Sequence, residues 1–130
     1  MNLPGARQYH QITVQSKVAE ANPHQLISML FEGLLNKLAT AKGHVDRDDF
    51  EGKAEAIGSA VSILGALQDS LNMEKGGEIA ANLDGLYHYI SKRLFSAAKD
   101  NDSQILDEAS RLIHTLKEGW DGIAAQVATH

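Results

Sequence analysis

The chain has 130 residues, 43% of them apolar and 22% charged, with a formal net charge of −5 and no cysteine. That length fits one domain around one core, and the balance is that of a globular chain rather than a disordered one. The negative charge argues against a general nucleic-acid binder, and the lack of cysteine excludes disulfides, thiolate catalysis and cysteine-ligated metals.

No apolar run approaches the ~20 residues that span a bilayer, and Met1 to Gly5 lacks the features of a signal peptide. The expectation is therefore a protein of a reducing cytosol that does not insert into a membrane. Pro4 and Pro23 are the two prolines, so everything after Pro23 is free of the strongest helix breaker. Runs of β-branched and aromatic residues bounded by turn residues are missing, which argues against a sheet.

Residues 1–21 read as an N-terminal arm. Its apolar residues Tyr9, Ile12, Val14 and Val18 follow neither a strict helix nor a strict strand period. Such a segment docks on something or frays, and it can form a short extra helix.

Residues 22–130 read as a helical bundle domain. The first helix has a clear start: Asn22 can cap, Pro23 suits the first helical position, and Gln25 sits where a capping box places Glu or Gln. Leu26, Ile27, Leu30, Phe31, Leu34, Leu35 and Leu38 give a wide apolar stripe, and Gly43 marks the expected end. The second helix is expected from near Asp48, with Glu51 completing a capping box. Its stripe is Ile57, Val61, Leu64 and Leu71, flanked by Ala60, Ile63 and Leu67. Gly52, Gly58 and Gly65 each cost about 1 kcal/mol relative to Ala, a cost that close approach of another helix would explain.

Gly76-Gly77 reads as the turn into the third helix, with glycine supplying a positive φ. That helix is expected from about Gly77 to Lys99. Ile79, Leu83, Leu86, Ile90 and Leu94 recur at helical spacing beside an aromatic pair, Tyr87 and Tyr89, and a basic end, Lys92-Arg93. A polar turn at 99–102 precedes the fourth helix, whose stripe is Ile105, Ala109, Leu112, Ile113, Leu116, Trp120, Ile123 and Val127. Four helices joined by short turns predict an all-α fold, an antiparallel up-down four-helix bundle.

The candidate chemistry is thin. None of the six histidines has a glutamate three residues before it, as di-iron bundles need. His44 with Asp46, Asp48 and Asp49 reads as a solvated turn rich in capping residues. No serine stands out as an activated nucleophile, and Gly76-Gly77 lacks the spacing of a phosphate loop. One segment, His114-Thr-Leu-Lys117-Glu-Gly119, resembles the His-x-Leu-Lys-Gly segment of histidine phosphotransfer domains. The polar stripe Asp107, Arg111, His114, Glu118 and Asp121 is the plainer reading, because Glu118 stands where that family has Gly and its charge opposes a phosphoryl group. A partner-binding groove is the remaining class. The second helix is apolar over more width than one seam needs and the third adds Tyr87 and Tyr89, residues that could equally complete the core.

Several segments carry a specific resemblance. Asn22 to Gly33 resembles the Ser-Pro-x-x-Leu-Ile-x-Met-Leu-Tyr/Phe-x-Gly opening of the first long helix in the FliS family of flagellar export chaperones. Glu74 to Ala80, followed by Asn82-Leu83, is similar to the entry of that family's third helix. Leu86 to Leu94 resembles its Leu-Tyr-Asp-Tyr-Met-x-Arg-Arg-Leu signature, with His88 in place of Asp and Lys92 in place of the first Arg. Lys92 cannot make the bidentate contact of a guanidinium. Trp120 matches an aromatic position of the last helix, and Tyr9 with Val14 matches the family's arm.

The resemblance implies a chaperone without catalytic residues, metal or cofactor. It would bind the C-terminal segment of flagellin, disordered in the monomer and helical in the filament, and so prevent premature polymerisation. It would then deliver the subunit to the flagellar type III export gate, where the cytosolic domain of a gate membrane protein and other flagellar regulators are further implied partners. Taken with the apolar pattern, the expected partner-binding residues are Tyr9 and Ile12 in the arm, Ile57, Val61 and Leu64 on the second helix, and Tyr87 and Ile90 on the third.

Overall fold

The computed structural model describes residues 22–123, which form four helices: α1 Pro23–Asp46, α2 Phe50–Asp69, α3 Met73–Asp100 and α4 Ser103–Ile123. No strand is present among the described residues. The arm at 1–21, with Tyr9 and Ile12, and residues 124–130, with Val127, lie outside them.

The start of α1 is the expected capping box. Asn22 Oδ1 accepts the Gln25 amide at 2.8 Å, and Gln25 Oε1 accepts the Asn22 amide at 3.0 Å. The helix does not stop at Gly43 but runs on to Asp46, because Ala41 and Val45 still have a core to bury against. Asp48 takes a left-handed conformation (φ 54°), so it cannot be the cap of α2. Asp49 caps instead, its carboxylate accepting the Gly52 amide at 3.0 Å.

The third helix begins earlier than its glycines suggest. Asn72 caps a first turn by accepting the Lys75 amide at 2.9 Å. Gly77 does carry a positive φ (52°, ψ −127°), but as a kink inside α3 rather than as the turn from α2. Only glycine adopts that geometry without strain.

At the far end of α3, Asn101 is left-handed (φ 53°) and closes the helix. The buried Lys53 of α2 donates to Ala98 O at 2.8 Å and to Asn101 Oδ1 at 3.2 Å. A cation thus meets the carbonyls that a helix C-terminus leaves without partners.

The helices form a ring. α1 packs on α2 and α4, α3 packs on the same two, and the diagonal pairs barely touch. Short turns make each neighbour antiparallel. Leu34, Leu38, Ile57, Leu64, Leu67, Tyr87, Ile90, Leu94, Leu106 and Ile113 are fully buried within the ring or nearly so.

Two expectations need correction. Gly58 and Gly65 face open space rather than a closely packed helix; Gly52 is the tight position, where a methyl would run into the His44 ring. Ile79, placed by its spacing with the residues that hold the bundle, is 73% exposed. Its helical phase is right, since it stands eighteen residues, five turns, before the buried Ala97. What is missing is a neighbour among the described residues. The first turn of α1 lies against Trp120, near the end of α4 (ring centroids of His24 and Trp120 4.7 Å apart), so α1 offers nothing beyond that level.

Candidate partner-binding surface

The structure separates the predicted partner-binding residues. Ile57, Leu64 and Ile90 are buried in the core, and a partner meets them only if the bundle opens. Val61 is half-buried at the edge of the core. Tyr87 is 0% exposed. Burial pushes its phenol well above the usual tyrosine range, so the ring stays neutral. Tyr87 is nonetheless the predicted residue that reaches a cavity.

That cavity has a volume of about 250 Å³ and lies between α1, α3 and α4. Phe31 comes from α1, Leu83 and Tyr87 from α3, and Thr115, Leu116, Gly119, Trp120 and Ile123 from α4. The lining is overwhelmingly apolar, with room for a bulky side chain of a partner. A Cβ at Gly119 would meet nothing within 4 Å, so the missing side chain keeps this wall low. Sequence reading placed Phe31, Leu83, Leu116 and Trp120 on core stripes. The stripes are correct, but at this end three helices leave a gap that spacing cannot reveal.

Trp120, one wall of the cavity, is held by α1. The His24 ring stacks on the indole with an interplanar angle of 15°. The indole N–H donates to His24 O at 2.9 Å, and His24 Nε2–H donates to Trp120 O at 2.6 Å. One residue on, Ser28 Oγ–H and Lys117 Nζ each donate at 2.6 Å to the Asp121 carboxylate. Lys117, then Ser28, hold the Asp121 carboxyl below the usual carboxylate range, and Asp121 in turn raises Lys117. This seam fixes the mouth of the cavity, and it joins residues 96 apart in sequence.

Outside the cavity, several polar groups of α3 and α4 are paired. His114 is exposed, with Nε2 3.1 Å from Glu118 Oε1, and Lys117 is committed to Asp121. A phosphoryl group on His114 would meet a carboxylate instead of a lysine. Tyr89, 45% exposed, donates through its hydroxyl to Glu108 Oε1 at 3.1 Å, and Arg93 Nε lies 3.5 Å from the same oxygen. The second tyrosine of the aromatic pair thus marks the α3–α4 seam, and Arg93, not Lys92, supplies its cation. No described helix is long and apolar enough to cross a membrane.

The family model described as flagellar protein FliS matches residues 5–127. Flagellar secretion chaperone FliSB of Pseudomonas aeruginosa is 45% identical over 122 residues, covering 94% of this chain and 97% of its own. Flagellar secretion chaperone FliS of Salmonella typhimurium is 39% identical over 125 residues (95% of this chain, 93% of its own). The protein of that name in Bacillus subtilis is 30% identical over 106 residues, covering 82% and 78%. With an all-helical bundle and a match spanning nearly its whole length, the chain belongs to the FliS family of flagellar proteins.

Proposed function

We propose that this chain is a flagellar export chaperone whose client is flagellin. It binds flagellin's disordered C-terminal segment in the cytosol, keeps it from polymerising, and delivers it to the type III export gate. Relatives named flagellar secretion chaperones support the class of function, and none of those names denotes an enzyme.

The observation that carries the mode of binding is the apolar cavity beside an exposed isoleucine of core phase. An amphipathic segment that folds on binding can place one large side chain between Leu83, Leu116 and Trp120 and lay its apolar face along Ile79. Ordering such a segment costs roughly 2–5 kcal/mol, which keeps a large interface releasable. In the free protein the arm with Tyr9 and Ile12 occupies this cavity and yields to the client. Support for this is positional: the arm joins the bundle at Asn22, two residues from His24 and its stack on the cavity wall. The cytosolic domain of a gate membrane protein and other flagellar regulators are the further partners of the same reading.

The test is a pull-down with full-length flagellin and with flagellin lacking its C-terminal segment. Capture of the first alone is expected; equal capture of both overturns the reading.

A further inference from the structure

On α3, His88, Lys92, Phe95 and Lys99 follow one another at steps of four, three and four residues, which sets them in one row. All four are exposed, Phe95 at 61%. The row lies outside the cavity, whose α3 wall is Leu83 and Tyr87.

Its charge has one sign. Between Asp84 and Asp100 the chain has no acidic residue, while Lys92, Arg93 and Lys99 fall within that stretch. Arg93 turns to Glu108 on α4. Lys42 and Lys117 are paired with Asp107 and Asp121, and Lys53 is buried against the end of α3. Lys92 and Lys99 pair with no carboxylate among the described residues, although Glu51 and Glu55 stand exposed on α2. His88 stands where the family signature has an aspartate. An acid four residues before a lysine would pair with it along the helix; without one, the Lys92 ammonium is left facing outward.

Phe95 is equally bare. Phe31 is buried in the core, and the Phe50 ring has the Lys53 ammonium 4.8 Å from its centroid. Phe95 has neither a ring nor a cation against it among the described residues. The neighbouring helix leaves room beside it. Gln68 bonds Asp84, and Lys53 bonds Ala98, across the α2–α3 seam. Eleven residues inward from the first pair, or three from the second, Phe95 is level with Ile57 and Ala56. Ala54 and Gly58 flank that level and are exposed, and a Cβ at Gly58 would meet nothing within 4 Å. Neither bars a partner from the Phe95 ring.

We propose that this row docks an acidic helical segment of a partner protein, with carboxylates against Lys92 and Lys99 and an apolar side chain against Phe95. The two lysines are two turns apart, about 10 Å, a distance that acids two turns apart on a second helix match. Anionic lipid and nucleic acid fit less well, because the whole chain carries −5 and repels an extended polyanion. The inference does not rest on the proposed client, since the row lies outside the cavity.

The test uses the full chain and a fluorescein-labelled helical peptide with a leucine between two glutamates two turns apart. Anisotropy should show saturable binding that added salt weakens, and amide shifts should concentrate over residues 88–99. Phe95→Gln, and Lys92→Gln with Lys99→Gln, should each weaken binding about tenfold. Thermal unfolding should stay unchanged in both, because all three side chains are exposed. Absence of binding overturns the proposal, as does equal binding of the peptide with glutamine in place of glutamate, or shifts confined to the cavity lining. A lowered melting temperature in Phe95→Gln also overturns it, by making the ring part of the fold. So does tighter binding to anionic vesicles or duplex DNA, or self-association of the chain that Phe95→Gln abolishes, since each assigns the row to another occupant.

Discussion

His24 and Trp120 hold each other twice: the rings stack 4.7 Å apart, and each side chain donates a hydrogen bond to the other residue's carbonyl. The pair fastens the first turn of α1 to the last turns of α4 and fixes a wall of the cavity. A stacked pair contributes about 0.5–1.5 kcal/mol beyond its buried area, and a hydrogen bond about 0.5–1.5 kcal/mol. His24→Ala should therefore lower the stability to urea by about 1–2 kcal/mol. Trp120 is the single tryptophan of the chain, so its emission should move to the red. Unchanged emission would show that the indole is held by other contacts.

Asp121 gives the same seam a pH dependence. Hydrogen bonds from Lys117 and then Ser28 lower its pKa in the folded chain. In the unfolded chain the carboxyl takes up a proton at higher pH than it does when folded. Its contribution is thus complete above the ordinary carboxyl value of 3.8 and is lost as pH falls through the depressed folded value. Lys117 has the opposite sense. Its raised pKa keeps its contribution complete below 10.5, to be lost as pH rises through the folded value. Asp121→Asn should flatten the acid limb of the stability profile, measured by urea midpoints from pH 5 to 2, and should also reduce the alkaline loss. An acid limb of unchanged slope would mean that the pair is fully screened at the surface.

Tyr87→Ala tests whether the ring belongs to the core or to a partner. Truncating a fully buried aromatic costs about 3–5 kcal/mol, so thermal unfolding should shift far downward and any loss of client capture should accompany loss of the bundle. A variant that keeps its melting temperature and loses only binding would place Tyr87 in the interface instead.

The contrast between Tyr87 and Tyr89 shows what was legible in the sequence. Two residues apart on a helix do not face each other, so an adjacent-looking aromatic pair had to divide between core and surface. Tyr87 shares the buried phase of Ile90 and Leu94, while Tyr89 reaches Glu108 on α4. Periodicity gave the helices, their order and most of the core, because burial of an apolar stripe repeats with the helix itself. The α1 cap was legible because its partners are three residues apart. Gly43 and Gly76-Gly77 misplaced helix ends, since core contacts carry α1 through the first and a single strained turn needs only Gly77. The cavity and the His24–Trp120 pair left no local trace. They depend on where α1 begins relative to the ends of α3 and α4, a property of the assembled ring.

Gly119 offers the sharpest separation of binding from folding. It lies in the interior of α4, lines the cavity, and has open space where a Cβ would stand. Gly→Ala at such a position stabilises a helix by about 0.5–1 kcal/mol. Gly119→Ala should therefore raise the urea midpoint and leave most of the cavity open. Leucine forms helix nearly as well as alanine, and its isobutyl group would grow into the space beside Leu116 and Trp120. Gly119→Leu should keep or raise stability while weakening capture of flagellin at least tenfold, about 1.4 kcal/mol in binding free energy. The two variants are compared by calorimetric titration with the flagellin C-terminal segment. If Gly119→Leu binds as tightly as Gly119→Ala, the client does not use this cavity, whatever other face of the bundle it covers.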